Sequence, residues 1–122
     1  MNKKIITRIS NEIGNQLFMY ASTFAIARKL NRNLYIDNES AFESRKNIST
    51  YALNNFNISS KIADENYKFL GIKGYIKRKF LKKIDTIKKE KRFYLEKKDN
   101  FKISKYNMEI DNSKISNELF IE

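Results

Sequence analysis

A change of hydrophobic period inside the first 37 residues restricts the fold of this chain more than any other feature. Lys3 to Ser10 (KKIITRIS) is β-branched, partly alternating, and stops at the polar pair Asn11-Glu12, the pattern of a strand over 3–10. After Gly14, the segment from Asn15 to Asn31 places Leu17, Tyr20, Ala21, Phe24, Ala27 and Leu30 at helical spacing, with Phe18 and Ala25 alongside. That gives one broad apolar face and predicts a helix packed on a sheet. A turn at Asn31-Arg32 leads directly into Asn33-Leu34-Tyr35-Ile36-Asp37, a second strand over 33–37. Strand, glycine turn, helix, short turn and strand form a βαβ unit, normally parallel and right-handed. The expected class is α/β, a Rossmann-like parallel sheet with flanking helices.

With 122 residues, the chain fits a single domain, and an ordinary core is within reach at this size. Beyond Asp37, residues 38–47 are polar and read as loop. Residues 48–58 mix Tyr51, Leu53, Phe56 and Ile58 with asparagines, which suits either a short strand or an irregular packed segment. Residues 62–70 suggest a short helix ending at Gly71 as a C-terminal cap. Ile76, Phe80, Ile84 and Ile87 recur at spacings of four, four and three, predicting an amphipathic helix over 75–92. Residues 93–95 and 118–122 look like strands. No internal repeat is present. The apolar run Leu119-Phe120-Ile121 at the end of the chain leaves an edge to be paired elsewhere, so the expectation is a truncated part of a larger protein.

The chain contains no cysteine and no histidine. Disulfides, thiolate nucleophiles, imidazole catalysis and the preferred ligands of zinc are therefore excluded, and chemistry must run on carboxylates, hydroxyls, amides, cations or bound ligands. No apolar run approaches the ~20 residues of a membrane-spanning helix, and the start lacks the apolar stretch of a secretory signal. A cytoplasmic location is expected. The formal net charge is +11, but 19 lysines, 17 isoleucines and 15 asparagines with no proline or tryptophan suggest coding DNA rich in A and T. Lysine is then a default surface residue, which weakens any inference from charge to nucleic acid.

Local chemistry concentrates in Arg8-Ile9-Ser10-Asn11-Glu12-Ile13-Gly14-Asn15-Gln16-Leu17-Phe18-Met19-Tyr20-Ala21. At a strand-to-helix turn, free backbone N–H groups and the positive end of the helix dipole face the crevice at the carboxyl ends of the strands. Such a place suits a phosphate or a sugar hydroxyl; Gly-Asn-Gln serves equally as an ordinary turn and N-cap. The residues resemble the bacterial α-1,2-fucosyltransferases of glycosyltransferase family 11, whose first strand runs into G-G-L-G-N-Q-L/M-F-Q-Y-A. Ile13-Gly14-Asn15-Gln16-Leu17-Phe18 and Tyr20-Ala21 keep that pattern. Leu34-Tyr35-Ile36-Asp37 with Ser40 and Phe42 is similar to the second strand and its L-D-x-S-x-F continuation, and residues 51–58 (YALNNFNI) are similar to F-E-L-x-x-F-N-I. Asn117 to Glu122 resembles the approach to the family's G-Y-x-Q segment. Between residues 59 and 116 only length and order correspond.

The resemblance implies the N-terminal half of a GT-B-type enzyme that moves fucose from GDP-fucose to a galactoside hydroxyl with inversion, in surface glycan biosynthesis and without an obligatory metal or cofactor. By carry-over, Gly14, Asn15 and Gln16 lie in the cleft near the donor: Gly14 permits close approach of the backbone, and Asn15 offers its amide to a hydroxyl or phosphate oxygen. The partners implied are the nucleotide-sugar donor and a glycan acceptor, with no nucleic acid. Two departures stand out. Asn11 and Glu12 occupy the places of two family glycines, and the family's H-x-R-x-G-D motif is absent from these 122 residues. The chain by itself is therefore expected to be inactive. Asp37 and Glu39, just past the second strand, occupy a crevice position that suits a base, although an acid closing a strand is usually a turn or cap residue.

The other constellation is basic. Residues 73–98 hold twelve lysines and arginines against Asp85, Glu90 and Glu96, a net of +9. A helix over 75–92 with a lysine face and an Ile/Phe face can lie peripherally on an anionic membrane, can meet nucleic acid, or can simply pack its apolar face on the sheet and leave its lysines in water.

Overall fold

The computed structural model describes residues 3–43, 49–94 and 112–122. These residues form a five-stranded parallel sheet in the order β3-β2-β1-β5-β4, with two helices, so the class is α/β as expected. The elements are β1 (Lys4–Arg8), α1 (Ile13–Lys29), β2 (Asn33–Asp37), β3 (Lys61–Ile62), α2 (Gly71–Asp85), β4 (Lys91–Tyr94) and β5 (Ile115–Ile121). The βαβ unit is present as predicted, with Lys4 opposite Asn33 and Arg8 opposite Asp37. On the other side of β1 lies β5, with Lys4 opposite Glu118 and Thr7 opposite Ile121. β4 occupies the far edge, so the last strand inserts beside β1 instead of extending the sheet outward. Leu95, within the strand expected over 93–95, lies outside the described residues.

Alternation along the strands separates the two faces. Ile5, Leu34, Leu119 and Ile121 pack with Ile26 and Ala27 of α1 and with Leu30 just after it, while Ile9 and Ile36 pack with Met19, Phe42 and Leu53. On the opposite face, Ile6, Ala63, Phe69 and Phe120 form a cluster joined by Leu81 of α2 and Phe93. The ring centroids of Phe69 and Phe120 are 5.2 Å apart, and those of Phe93 and Phe120 are 5.3 Å apart. Each helix thus covers its own face of the sheet.

Several local expectations are corrected. The buried line of α1 runs through Gln16, Met19, Thr23, Ile26 and Ala27, rotated from the apolar stripe so that Leu17 is exposed. Polar residues occupy that line because their hydrogen bonds are satisfied: the Thr23 hydroxyl donates to the Met19 carbonyl at 2.7 Å, and the Gln16 amide bonds to segment 50–52. Residues 62–70 are not a helix. Ile62 ends β3, residues 65–67 make a single 3₁₀ turn, and Gly71, with φ of 66°, begins α2 rather than capping a helix before it. Within 49–58, the described part of the ambiguous segment, the chain is irregular around one 3₁₀ turn that carries the fully buried Leu53.

The largest correction concerns the helix expected over 75–92. It spans Gly71–Asp85, and its buried residues are Gly74 and Asp85, with Arg78 and Leu81 half-buried between them. Of the stripe that one of the three readings packed on the sheet, Ile76, Phe80 and Ile87 are exposed and Ile84 is half-buried. Contacts on the inward side decide this orientation. Gly74 lies so close to the chain before the helix that an added Cβ would sit 2.4 Å from the Phe69 carbonyl carbon. Asp85 accepts the backbone N–H groups of Arg92 and Phe93 at 2.8 and 3.1 Å, tying the helix end to β4. Gly74→Ala is expected to destabilise the chain by about 2 kcal/mol, because backbone atoms cannot give way as a flexible side chain can. Urea unfolding with unchanged stability in the variant would refute the close approach.

Candidate functional site

In open α/β sheets ligands bind outside the carboxyl ends of the strands. Here that edge carries Arg8 at the end of β1, Asp37 at the end of β2, and Glu122 just after β5. The turn from Ile9 to Glu12 then leads into α1. Asn11 has φ of 66°, a left-handed conformation that asparagine tolerates better than other side-chain-bearing residues. The first turn of α1 contains no acidic side chain, and Glu12 at its N-cap makes no side-chain capping bond. The first backbone N–H groups of the helix lack intrahelical acceptors and no side chain caps them, while the N-cap Glu12 carboxylate stands exposed at the positive end of the dipole.

The three residues singled out in that turn separate into two kinds. Gly14 and Asn15 are exposed. Nothing lies within 4 Å of the place a Gly14 Cβ would take, so packing does not require glycine there. Among the described residues the Asn15 carboxamide makes no hydrogen bond. Gln16 is the opposite case. Its side chain is fully buried, its Nε2 donates to the carbonyls of Asn11 at 2.9 Å and Thr50 at 2.8 Å, and its Oε1 accepts the Ala52 N–H at 2.9 Å. Gln16 therefore stitches the turn to segment 50–52, with both hydrogens of its buried amide nitrogen taken up by backbone carbonyls.

On the α2 side of the same edge, Glu122 gathers three cations. Arg78 donates from Nε to Oε2 at 3.1 Å and from Nη2 to Oε1 at 2.5 Å. Arg8 Nη1 approaches Oε2 at 3.4 Å, and Lys82 Nζ also pairs with this carboxylate. Burial alone would raise the pKa of Glu122, but the hydrogen bonds from Arg78 and Lys82 outweigh it and hold the carboxyl below its usual range. Burial lowers the pKa of Arg8, and the neighbouring Arg78 charge lowers it further. Three cations thus converge on the one half-buried carboxylate of Glu122, so the α2 side of this edge carries an excess of positive charge. Sequence reasoning missed the cluster because its members lie as far apart as residues 8 and 122. The only legible signal was a charged residue closing each of two apolar strands.

The acids past β2 are braces. Asp37 is buried, and its Oδ1 accepts the N–H groups of Glu39 and Ser40 at 3.1 and 3.0 Å. Glu39 pairs with Lys68 at 2.7 Å, and the Ser40 hydroxyl accepts the Phe69 N–H at 2.8 Å. The loop after β2 is thereby clamped to the segment that launches α2. No group of three acidic side chains that would hold a metal ion occurs among the described residues. None of their helices is long and apolar enough to cross a membrane. No protein-family model matches the chain, and neither a curated protein nor a solved structure does.

Proposed function

We propose that this chain is the Rossmann-like N-terminal part of a GT-B-type transferase that moves fucose from GDP-fucose to a galactoside hydroxyl, with the carboxyl edge of its sheet as one wall of the donor cleft. The observation that carries the reading is the turn itself. Asn11 holds the left-handed geometry at a family glycine position, and the chain then enters an uncapped helix whose Gly14 and Asn15 face open space. A glycine in a helical turn with no packing reason to be there lowers stability relative to alanine. Close approach of a ligand to the backbone supplies a reason to keep it.

In an inverting transfer the acceptor oxygen attacks the anomeric carbon as the bond to the diphosphate breaks, the leaving GDP takes the electron pair, and the acceptor hydroxyl gives up its proton to a general base. Free N–H groups at 13–15 and a positive strand edge favour that developing charge. Asn15 is suited to a sugar hydroxyl or phosphate oxygen, while Gln16 holds the turn in shape. The second cationic wall, which the family supplies through H-x-R-x-G-D, is not encoded in these 122 residues. Substrate positioning needs both walls, so the isolated chain is expected to bind donor weakly and to transfer no fucose to lactose.

Titration with GDP-fucose, followed by backbone amide NMR, tests the reading. The signals of residues 13–15 are expected to shift. Asn15→Asp is expected to abolish the shift while keeping the fold, since an acid in the first turn suits the helix dipole but repels a diphosphate. Gly14→Ala is expected to stabilise the chain by about 0.5 kcal/mol and to weaken the same titration. Absence of any shift at 13–15, or an unimpaired Asn15→Asp, would overturn the assignment of this turn to the donor.

A further inference from the structure

We propose that the outward face of α2 docks on an anionic lipid bilayer, with Ile72, Ile76 and Phe80 entering the headgroup boundary. This surface lies apart from the strand-edge crevice and is independent of the donor reading. The helix is inverted relative to a packed surface helix. Its inward line is Gly74, Arg78, Leu81 and Asp85, whereas Ile72, Ile76 and Phe80, one turn apart along the outside, are 80%, 60% and 61% exposed. Single exposed apolar residues are ordinary, but a contiguous row marks an interaction surface. Tyr75 beside the row and Ile87 beyond the helix end are exposed too.

Charge identifies the occupant. Lys73, Lys77, Lys79 and Lys83 are exposed around the row, and Lys79 Nζ lies 4.6 Å from the centre of the Tyr75 ring. The one acid of the helix, Asp85, is buried and bound to backbone N–H groups, so the helix's own outward residues carry only positive charge, while the Glu43 carboxylate is bound to the Gly71 N–H at the helix start. Protein interfaces deplete lysine at their cores, and a second copy of this face would bring like charges together. A bilayer with anionic headgroups accepts both features at once: apolar side chains insert while lysine stems lie along them and carry their charges to the phosphates. Nucleic acid would satisfy the lysines and leave the isoleucines and phenylalanine in water.

Co-sedimentation of the full chain with vesicles of phosphatidylcholine and phosphatidylglycerol, against phosphatidylcholine alone, tests this at low and high salt. The anionic vesicles are expected to carry the chain down and the neutral ones to leave it in solution. Ile76→Ser combined with Phe80→Ser changes only exposed positions, so the fold is retained; partitioning is expected to fall at least tenfold at unchanged charge. Lys77→Gln and Lys83→Gln are each expected to lower it about fivefold. The proposal is overturned if anionic vesicles fail to bind the chain. It is equally overturned if the Ser variant binds as well as the parent, which would leave only a polyanion patch that an oligonucleotide fills equally. A dimer in sedimentation velocity that the Ser variant dissolves, without vesicle binding, would assign the face to a second copy.

Discussion

Gln16→Leu is expected to destabilise the chain by about 4 kcal/mol in urea unfolding, although leucine matches glutamine in size and helix propensity. The loss comes from what the amide leaves behind. The carbonyls of Asn11 and Thr50 and the N–H of Ala52 all bond to this one buried side chain. Leucine would take away their shared partner in a part-buried place, at about 1–3 kcal/mol for each group left unsatisfied and less where water enters. The damage is directional as well. Asn11 is the left-handed residue of the turn, so the loop before α1 loses its brace and Gly14 and Asn15 lose their fixed relation to the strand edge. Amide exchange at 11–15 and 50–52 should therefore rise together in the variant. A loss below about 1 kcal/mol would mean that the segment around residue 50 is held by other contacts.

Glu122→Gln is expected to remove about 2 kcal/mol at neutral pH, since withdrawing one member of a partly buried ionic cluster leaves the other charges uncompensated. Its side chain is only 9% exposed, and Arg8, Arg78 and Lys82 all converge on it. The pH dependence follows from the direction of the shift. A carboxyl held below its ordinary value contributes stability that is fully present above the unfolded-state pKa and is lost as pH falls through the lower folded-state value. The parent and the Gln variant should thus differ most near neutrality and converge in acid, below the usual carboxylate range. A constant gap across that range would assign the loss to packing. The substitution also tests the cleft. With the carboxylate gone, three cations lose their common partner at the strand edge, so affinity for GDP should rise while stability falls. A merely structural role for the cluster would not produce those opposite movements.

The clearest lesson about legibility comes from the two helices. For α1, sequence periodicity located the element, and the following strand was assigned over its observed bounds, because strand and helix periods differ enough to be separated locally. Yet the buried line runs through Gln16 and Thr23, which a hydrophobic stripe passes over because their hydrogen bonds close only in the folded chain. For α2, the apolar spacing was real but pointed outward. Which face turns inward was decided by the glycine that lets the helix meet the Phe69 backbone and by the arginine and aspartate that find partners in β4 and Glu122. Of the site residues named from the turn, Gly14 and Asn15 lie exposed at the strand edge, Gln16 is a brace, and the Arg8–Glu122 cluster was invisible from the sequence.

What the sequence alone determined is therefore the α/β class, the leading βαβ unit and the place of the strand-to-helix turn. All three follow from period, β-branching and a glycine within a few residues of one another, where local sterics dominate. The order β3-β2-β1-β5-β4, the inverted seat of α2 and the charge cluster at the carboxyl edge were decided only by the tertiary structure. Each depends on pairing residues from distant parts of the chain. Burial energy discriminates among such pairings only once strands and helices are already packed together, and no local pattern records the choice.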